Sequence, residues 1–213
     1  MEDEIIKRIT EISTDRSPHT VFSDWVEVMA MSIQNTCCIN HDGVWERRED
    51  KYKQILSGYK DPNIFPDMFG LLVEAFDDHI SDYLGSIYMK LSINHKGLGQ
   101  FFTPYHLSRM AASAGLPKDI PEIYKMNEPS CGGGGMVIAT ADEMLKRGIN
   151  YQKVMKVVAQ DLDWMAVHMC YVQLSLLGID AVVVQGDSLA AGSVFSRPKN
   201  CIFRTPRSMG ALW

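Results

Sequence analysis

IYKMNEPSCGGGGMVIATADEMLKRG, residues 123–148, contains a change of period that decides the fold. IYKMNEP reads as a short strand, and GGMVIATADEMLKRG carries the apolar spacing of a helix. Between them stand Gly132, Gly133, Gly134 and Gly135, four consecutive residues without a Cβ. A strand that runs through a glycine turn into a helix needs positive φ angles and close backbone approach. The helix start then offers free N–H groups to a ligand with negative or polar oxygens. No Gly-Lys-Ser/Thr follows the glycines, so the loop is not a phosphate-cradling P-loop.

The texture repeats downstream. KVMKVVAQD (153–161), AVVVQGD (181–187) and NCIFRTP (200–206) read as further strands, and WMAVHMCYVQLSLLG (164–178) as an amphipathic helix between the first two. Strand-helix alternation predicts a parallel sheet with right-handed crossovers, and ligands of such sheets lie outside the carboxyl ends of the strands. Asp161 ends the second strand, with Asp163 two residues on; Gly186 and Asp187 end the third. An acid after the second strand can hold a ribose diol by charge-assisted hydrogen bonds, and Asp187 can face a base or sugar in the same crevice. Each acid alone could simply cap the next helix. Together, beside the glycine loop, they favour a nucleoside-containing cofactor.

Upstream the chain is helical. Phe22, Trp25, Val26, Met29 and Ile33 share one face at three-to-four spacing, and MFGLLVEAFDDHISDYLGSIYMKL (68–91) reads as another helix, with Asp61, Pro62 and Pro66 as breakers ahead of it. In KGLGQFFTPYHLSRMAASAG (96–115), Gly97 and Gly99 make a hinge after which Phe101 and Phe102 lead into a helix, with the Thr103 hydroxyl as cap and Pro104 at the first helical position. The expected organisation is a helical domain over 1–97 and a sheet domain over 98–213.

Of the 213 residues 46% are hydrophobic and 22% charged, enough for a packed core. The net charge of -5 excludes a basic stripe that would hold nucleic acid by counterion release alone. No apolar run reaches membrane-spanning length and the first residues are acidic, so a cytoplasmic protein without membrane contact is expected. The cysteines, Cys37, Cys38, Cys131, Cys170 and Cys201, are odd in number and lack CxxC spacing, which predicts reduced thiols. Cys37, Cys38 and His41 lack the second ligand pair of a zinc site, and no metal is expected.

GQFFTP (99–104) followed by EPSCGGGGM (128–136) resembles the first two motifs of the N6-adenine DNA methyltransferases, in particular the M-subunit group of type I restriction-modification systems. DYLGSIYMKL (82–91) resembles part of that group's N-terminal helical domain; QDLD (160–163) and QGDSL (185–189) resemble its next motifs. The resemblance spans roughly residues 65–190. It implies an α/β, Rossmann-like methyltransferase fold with a partial, mostly parallel sheet preceded by an α-helical domain, and S-adenosylmethionine as cofactor. That ligand has a carboxylate, a ribose and an adenine but no phosphate. By resemblance Phe102 and Thr103 touch its methionine end, while Glu128, Pro129, Cys131, Gly132 and Gly134 line the loop. Asp161 takes the ribose hydroxyls and Asp187 the adenine side. Glu128 stands where the group usually has Asp.

The same resemblance implies a tetrapeptide after the fourth strand, Asn or Asp, two prolines and an aromatic residue, that holds the adenine amine. This sequence has no adjacent prolines. Thr205-Pro206-Arg207-Ser208 stands at that place, so Thr205 and Pro206 are the candidates there, against a plain loop. The implied activity is adenine-specific DNA methylation, completed by a downstream segment or by a specificity or partner subunit. The alternative is a catalytically inactive, cofactor-sensing or interaction module in restriction-modification or mobile-element biology. A small-molecule or RNA methyltransferase ranks third. A sheet ending near residue 206 leaves an open edge that predicts a homo- or hetero-oligomer.

Overall fold

The computed structural model describes residues 1–92, 102–190 and 193–210. It begins with helices α1 (Glu2–Ile12), α2 (Pro18–Cys37), α3 (Gly43–Ser57), α4 (Ile64–Asp78) and α5 (Tyr83–Ser92). Then follow α6 (Tyr105–Gly115), β1 (Tyr124–Glu128), α7 (Gly135–Lys146), α8 (Tyr151–Val154), β2 (Met155–Asp161), α9 (Trp164–Leu176), β3 (Asp180–Gln185) and β4 (Ile202–Arg204). The expected hinge at Gly97 and Gly99, with Phe101, lies outside the described residues.

α2 starts where Ser17 accepts a hydrogen bond from the Thr20 amide and Pro18 opens the helix. Its stripe Phe22, Trp25, Val26, Met29 and Ile33 is buried, and the Trp25 indole donates to the Phe65 carbonyl at 3.1 Å. The span 68–91 is two helices rather than one. His79 adopts an extended backbone after α4, and the Asp82 carboxylate accepts from the Gly85 amide at 3.0 Å, capping a fresh start at α5. Pro66 lies inside α4, in its first turn, where the missing N–H would have had no helical acceptor. Pro104, not Thr103, is the cap position of α6 and precedes the first helical residue, and the expected hydrogen bond from the Thr103 hydroxyl does not close the helix start.

β1, β2 and β3 are parallel neighbours, with Met126 opposite Val157 and Val158 opposite Val182. α9 departs from the amphipathic reading: every residue from Met165 to Ser175 is buried. It lies between the sheet, which it meets at β2 and β3, and α2. A helix that is apolar on all sides is one packed on all sides. The opposite face of the sheet is polar at Lys125, Asn127 and Lys156, with Lys156 paired to Asp180 at 3.0 Å.

The fourth strand does not continue the parallel set. β4 runs antiparallel to β3, with Ile202 opposite Val184 and Arg204 opposite Val182. A parallel return needs a crossover of a dozen or more residues, usually a helix. Here the described residues between β3 and β4 form only 3-10 turns, Val194–Ser196 and Lys199–Cys201, so the chain folds straight back. The sheet order is β1-β2-β3-β4, which leaves β1 and β4 at its edges.

Candidate cofactor site

The carboxyl ends of β1, β2 and β3 are clasped by backbone bonds before any side chain acts. The Cys131 amide donates to the Gln160 carbonyl at 2.9 Å, and the Gly186 amide donates to the Asp161 carbonyl at 2.8 Å. Gly132 and Gly134 have φ of +51° and +95°, the left-handed region that glycine enters without penalty. A Cβ on Gly132 would stand 2.8 Å from Phe102 Cδ1, and one on Gly134 would stand 3.2 Å from Cys170 Sγ. The glycines thus permit both the turn and the contacts around it. Gly134 then caps α7, accepting from the Ile138 amide at 2.9 Å.

Asp161 holds this loop. Its Oδ2 accepts from the Gly132 amide at 2.9 Å and its Oδ1 from the Asp163 amide at 3.0 Å. Asp163 itself caps α9 by accepting from the Ala166 amide. Asp161 is half-buried at the mouth of a cavity of about 210 Å³ lined also by Phe102, Thr103, Cys131, Gly132 and Met136.

The other wall of this cavity is Asp82, at the start of α5. Its Oδ1 accepts from the Gln173 side chain at 2.8 Å and from the Gly85 amide, while Oδ2 lies 3.0 Å from where a Cβ on Gly135 would stand. Burial pushes this carboxyl above the ordinary carboxylate range, partly offset by those two donors. Gln173 is fully buried in α9 and ties three elements together. It also donates to the Gly133 carbonyl at 2.8 Å and accepts from the Leu84 amide at 3.0 Å. Beneath the loop, Cys170 shares a side-chain hydrogen bond with Cys131, which together with burial raises its thiol pKa.

Of the residues expected to bind cofactor, the cavity brings together Phe102, Thr103, Cys131, Gly132 and Asp161. Glu128, Pro129, Gly134 and Asp187 stand outside its lining. Glu128 is half-buried and accepts from the Ser130 amide at 3.3 Å; burial and then the nearby Asp161 charge raise its pKa. Pro129 is exposed. Asp187 is exposed, with Oδ1 accepting from the Leu189 amide and its carbonyl accepting from Arg197.

Thr205 and Pro206 are displaced further, because β4 is reversed. Thr205 is fully buried beside the amino end of β3, donating through Oγ1 to the Ile179 carbonyl at 2.7 Å and accepting from the Ala181 amide at 3.0 Å. Pro206, itself buried, opens a half-buried 3-10 turn there. Both sit at the end of the sheet remote from the glycine loop, where Thr205 pins the start of β3.

Asp82 and Gln173 were not among the residues expected from sequence. The available signals were an aspartate three residues before a glycine in DYLG, and a glutamine inside a mainly apolar helix, a polar group that burial obliges to find partners.

The cavity lining holds two carboxylates and, among the described residues, no lysine or arginine. Bare amides, a carboxylate at each wall and an aromatic ring suit S-adenosylmethionine, which is cationic at sulfur and nitrogen and carries no phosphate. Among curated proteins none matches the sequence significantly. The fold is similar to that of a Listeria monocytogenes chain assigned to the class I S-adenosylmethionine-dependent methyltransferases, at a TM-score of 0.57 and 13% identity. The similarity covers 90% of this chain and 55% of that one, so the chain spans about half the length of the structure it matches. A family model described as N-6 DNA Methylase matches residues 78–203, more than half of the chain. The chain therefore belongs to the N-6 DNA methylase family, and its cofactor is S-adenosylmethionine.

Proposed function

We propose that the chain is the cofactor-holding part of an adenine-N6 DNA methyltransferase of the type I M-subunit kind, with S-adenosylmethionine seated between Asp82 and Asp161. The observation that carries this reading is that two carboxylates line one cavity with the glycine loop, with no cation in its described lining. Asp161 keeps lone pairs beyond the two amide bonds it accepts, and these suit a ribose diol. The Asp82 carboxylate, with Oδ2 unclaimed by the described residues, suits the ammonium of the methionine end. Phe102 and Thr103 close the same end of the cavity. The bound sulfonium supplies an electrophilic methyl group. The chain's own residues bind and orient it.

Holding the adenine amine is a separate task, because its lone pair is delocalised into the ring and the base must be flipped out. In this reading the groups that accept from the amine come from a further segment or a partner subunit, and so does the surface that reads DNA. A second reading, a cofactor-sensing or interaction module without catalysis, is favoured by one specific observation: Thr205, which stands where the catalytic tetrapeptide would begin, is spent on fastening the amino end of β3.

Calorimetric titration with S-adenosylmethionine tests the shared claim. Asp161→Ala is expected to weaken binding by about 1–3 kcal/mol, since it removes the diol acceptor and releases the Gly132 amide. Absence of binding to the folded chain overturns both readings. Transfer of tritiated methyl groups to DNA then separates them. Incorporation, alone or with partner subunits, excludes the inert module; persistent absence excludes the enzyme.

A further inference from the structure

A second cavity, of about 470 Å³, lies where α2, α3 and the start of α9 meet β4, and it shares no lining residue with the cofactor cavity. Its volume is in the range of small-molecule sites, about 300–1,000 Å³. Its composition is unlike that of the first site. Arg47, Arg48 and Lys51 of α3 all line it, against one carboxylate, Glu27.

None of the three cations forms an ion pair within 4.0 Å among the described residues. Arg47 and Lys51 are one helical turn apart and exposed, a like-charge spacing that costs stability unless an anion sits between them. Arg48 is only 9% exposed. Its contacts are the Phe203 ring, 5.1 Å from Cζ to centroid, and the Cys38 thiol, and the Asp42 carboxylate acts on it only from beyond ion-pair distance. A guanidinium held this deep is normally matched by a carboxylate or phosphate, whose planar oxygens its fork of donors fits. Burial also keeps the adjoining His168 neutral, with its pKa lowered to about 3, so the cavity's positive charge comes from α3. At the mouth stands Trp164, 39% exposed, three residues after Asp161 and edge-on to Phe203. An indole beside a cation cluster is the arrangement that receives a base and its phosphate together. The chain as a whole is acidic, so this positive field is local to the cavity.

We propose that this cavity is a nucleotide site, taking a phosphate among Arg47, Arg48 and Lys51 with the attached base against Trp164. The proposal does not rest on the methylation reading. The phosphate can belong to a free nucleotide or to a nucleic-acid strand, and the two are separable.

The probe is thymidine 5′-monophosphate, whose pyrimidine avoids competition for an adenosine-binding cavity, titrated calorimetrically into the purified chain. Thymidine is expected to bind at least about tenfold more weakly than its monophosphate, as loss of charge-assisted bonds requires. Arg48→Met is expected to weaken the monophosphate about tenfold and Trp164→Leu several-fold. Should Arg48→Met fail to fold by circular dichroism, the exposed pair Arg47→Gln with Lys51→Gln carries the same test. An oligothymidylate that binds about tenfold tighter than the monomer assigns the site to a strand; equal affinity assigns it to a free nucleotide. Either sustains the proposal. No saturable binding of the monophosphate, an equal affinity for thymidine or for inorganic phosphate, or indifference to the arginine and lysine substitutions overturns it.

Discussion

Replacing Gln173 by leucine tests the central packing argument, because the two side chains are close in size and the change removes chiefly polar contacts. Gln173 is fully buried and makes three hydrogen bonds: from the Leu84 amide at 3.0 Å, to Asp82 Oδ1 at 2.8 Å and to the Gly133 carbonyl at 2.8 Å. Leucine orphans the Leu84 N–H, which stands in the first turn of α5 and has no helical acceptor. It also orphans the Gly133 carbonyl and strips one of two donors from Asp82. At roughly 1–3 kcal/mol for each buried group left unpaired, the two orphaned groups alone cost about 2–6 kcal/mol before relaxation. Against a total stability of about 5–15 kcal/mol this is a large fraction. For a chain of this length each kcal/mol is worth roughly 2–4 °C, so a fall in Tm on the order of 10 °C is expected in thermal melts followed by circular dichroism. The same variant should bind S-adenosylmethionine more weakly, since Gly133 is no longer tethered to α9. A Tm within about 2 °C of wild type would refute the claim that this glutamine fastens the helices to the glycine loop.

Gly134→Ala places a Cβ at φ +95° and 3.2 Å from Cys170 Sγ, and should cost about 1–3 kcal/mol in chemical denaturation through backbone strain and displacement of that thiol. His168 has its pKa lowered by burial, then by Arg48, to about 3 against an ordinary 6.5, so the native state binds fewer protons than the unfolded chain. Its contribution is present above pH 6.5 and is lost as pH falls towards 3, at roughly 1.4 kcal/mol per pH unit, and His168→Gln should flatten that part of the stability profile. Asp82 shifts the other way: its raised pKa favours folding at low pH, and that contribution is lost as pH rises from the ordinary carboxylate range through the raised value. Asp82→Asn should remove this slope in pH-dependent unfolding and, on the proposed ammonium contact, weaken S-adenosylmethionine in calorimetry. Unchanged affinity would exclude Asp82 from the ligand's surroundings.

The local features were legible in the sequence because short-range chemistry dictates them. Four glycines between an apolar run of period two and one of period three to four permit little except a strand, a left-handed turn and a helix, and that is how residues 124–146 are arranged. The stripe on α2 was equally plain, since its spacing states which face is buried. The acid at the end of β2 could be placed beside the loop because consecutive strands of a parallel sheet bring their carboxyl ends together.

Direction, enclosure and long-range ties were decided only by the tertiary structure. NCIFRTP reads as a strand in either sense, and only a return after β3 whose described residues hold 3-10 turns rather than a crossover helix makes it antiparallel and carries Thr205 and Pro206 to the far end of the sheet. The break at 79–82 depends on Asp82 turning to cap α5, a choice the apolar periodicity on either side conceals. Gln173 and Asp82 are ninety-one positions apart, and no local rule announces that they meet. Sequence determines what each segment can become by itself; the reach of a side chain across the core depends on how those segments pack, because buried polar groups take whichever partners the packing brings within hydrogen-bond distance.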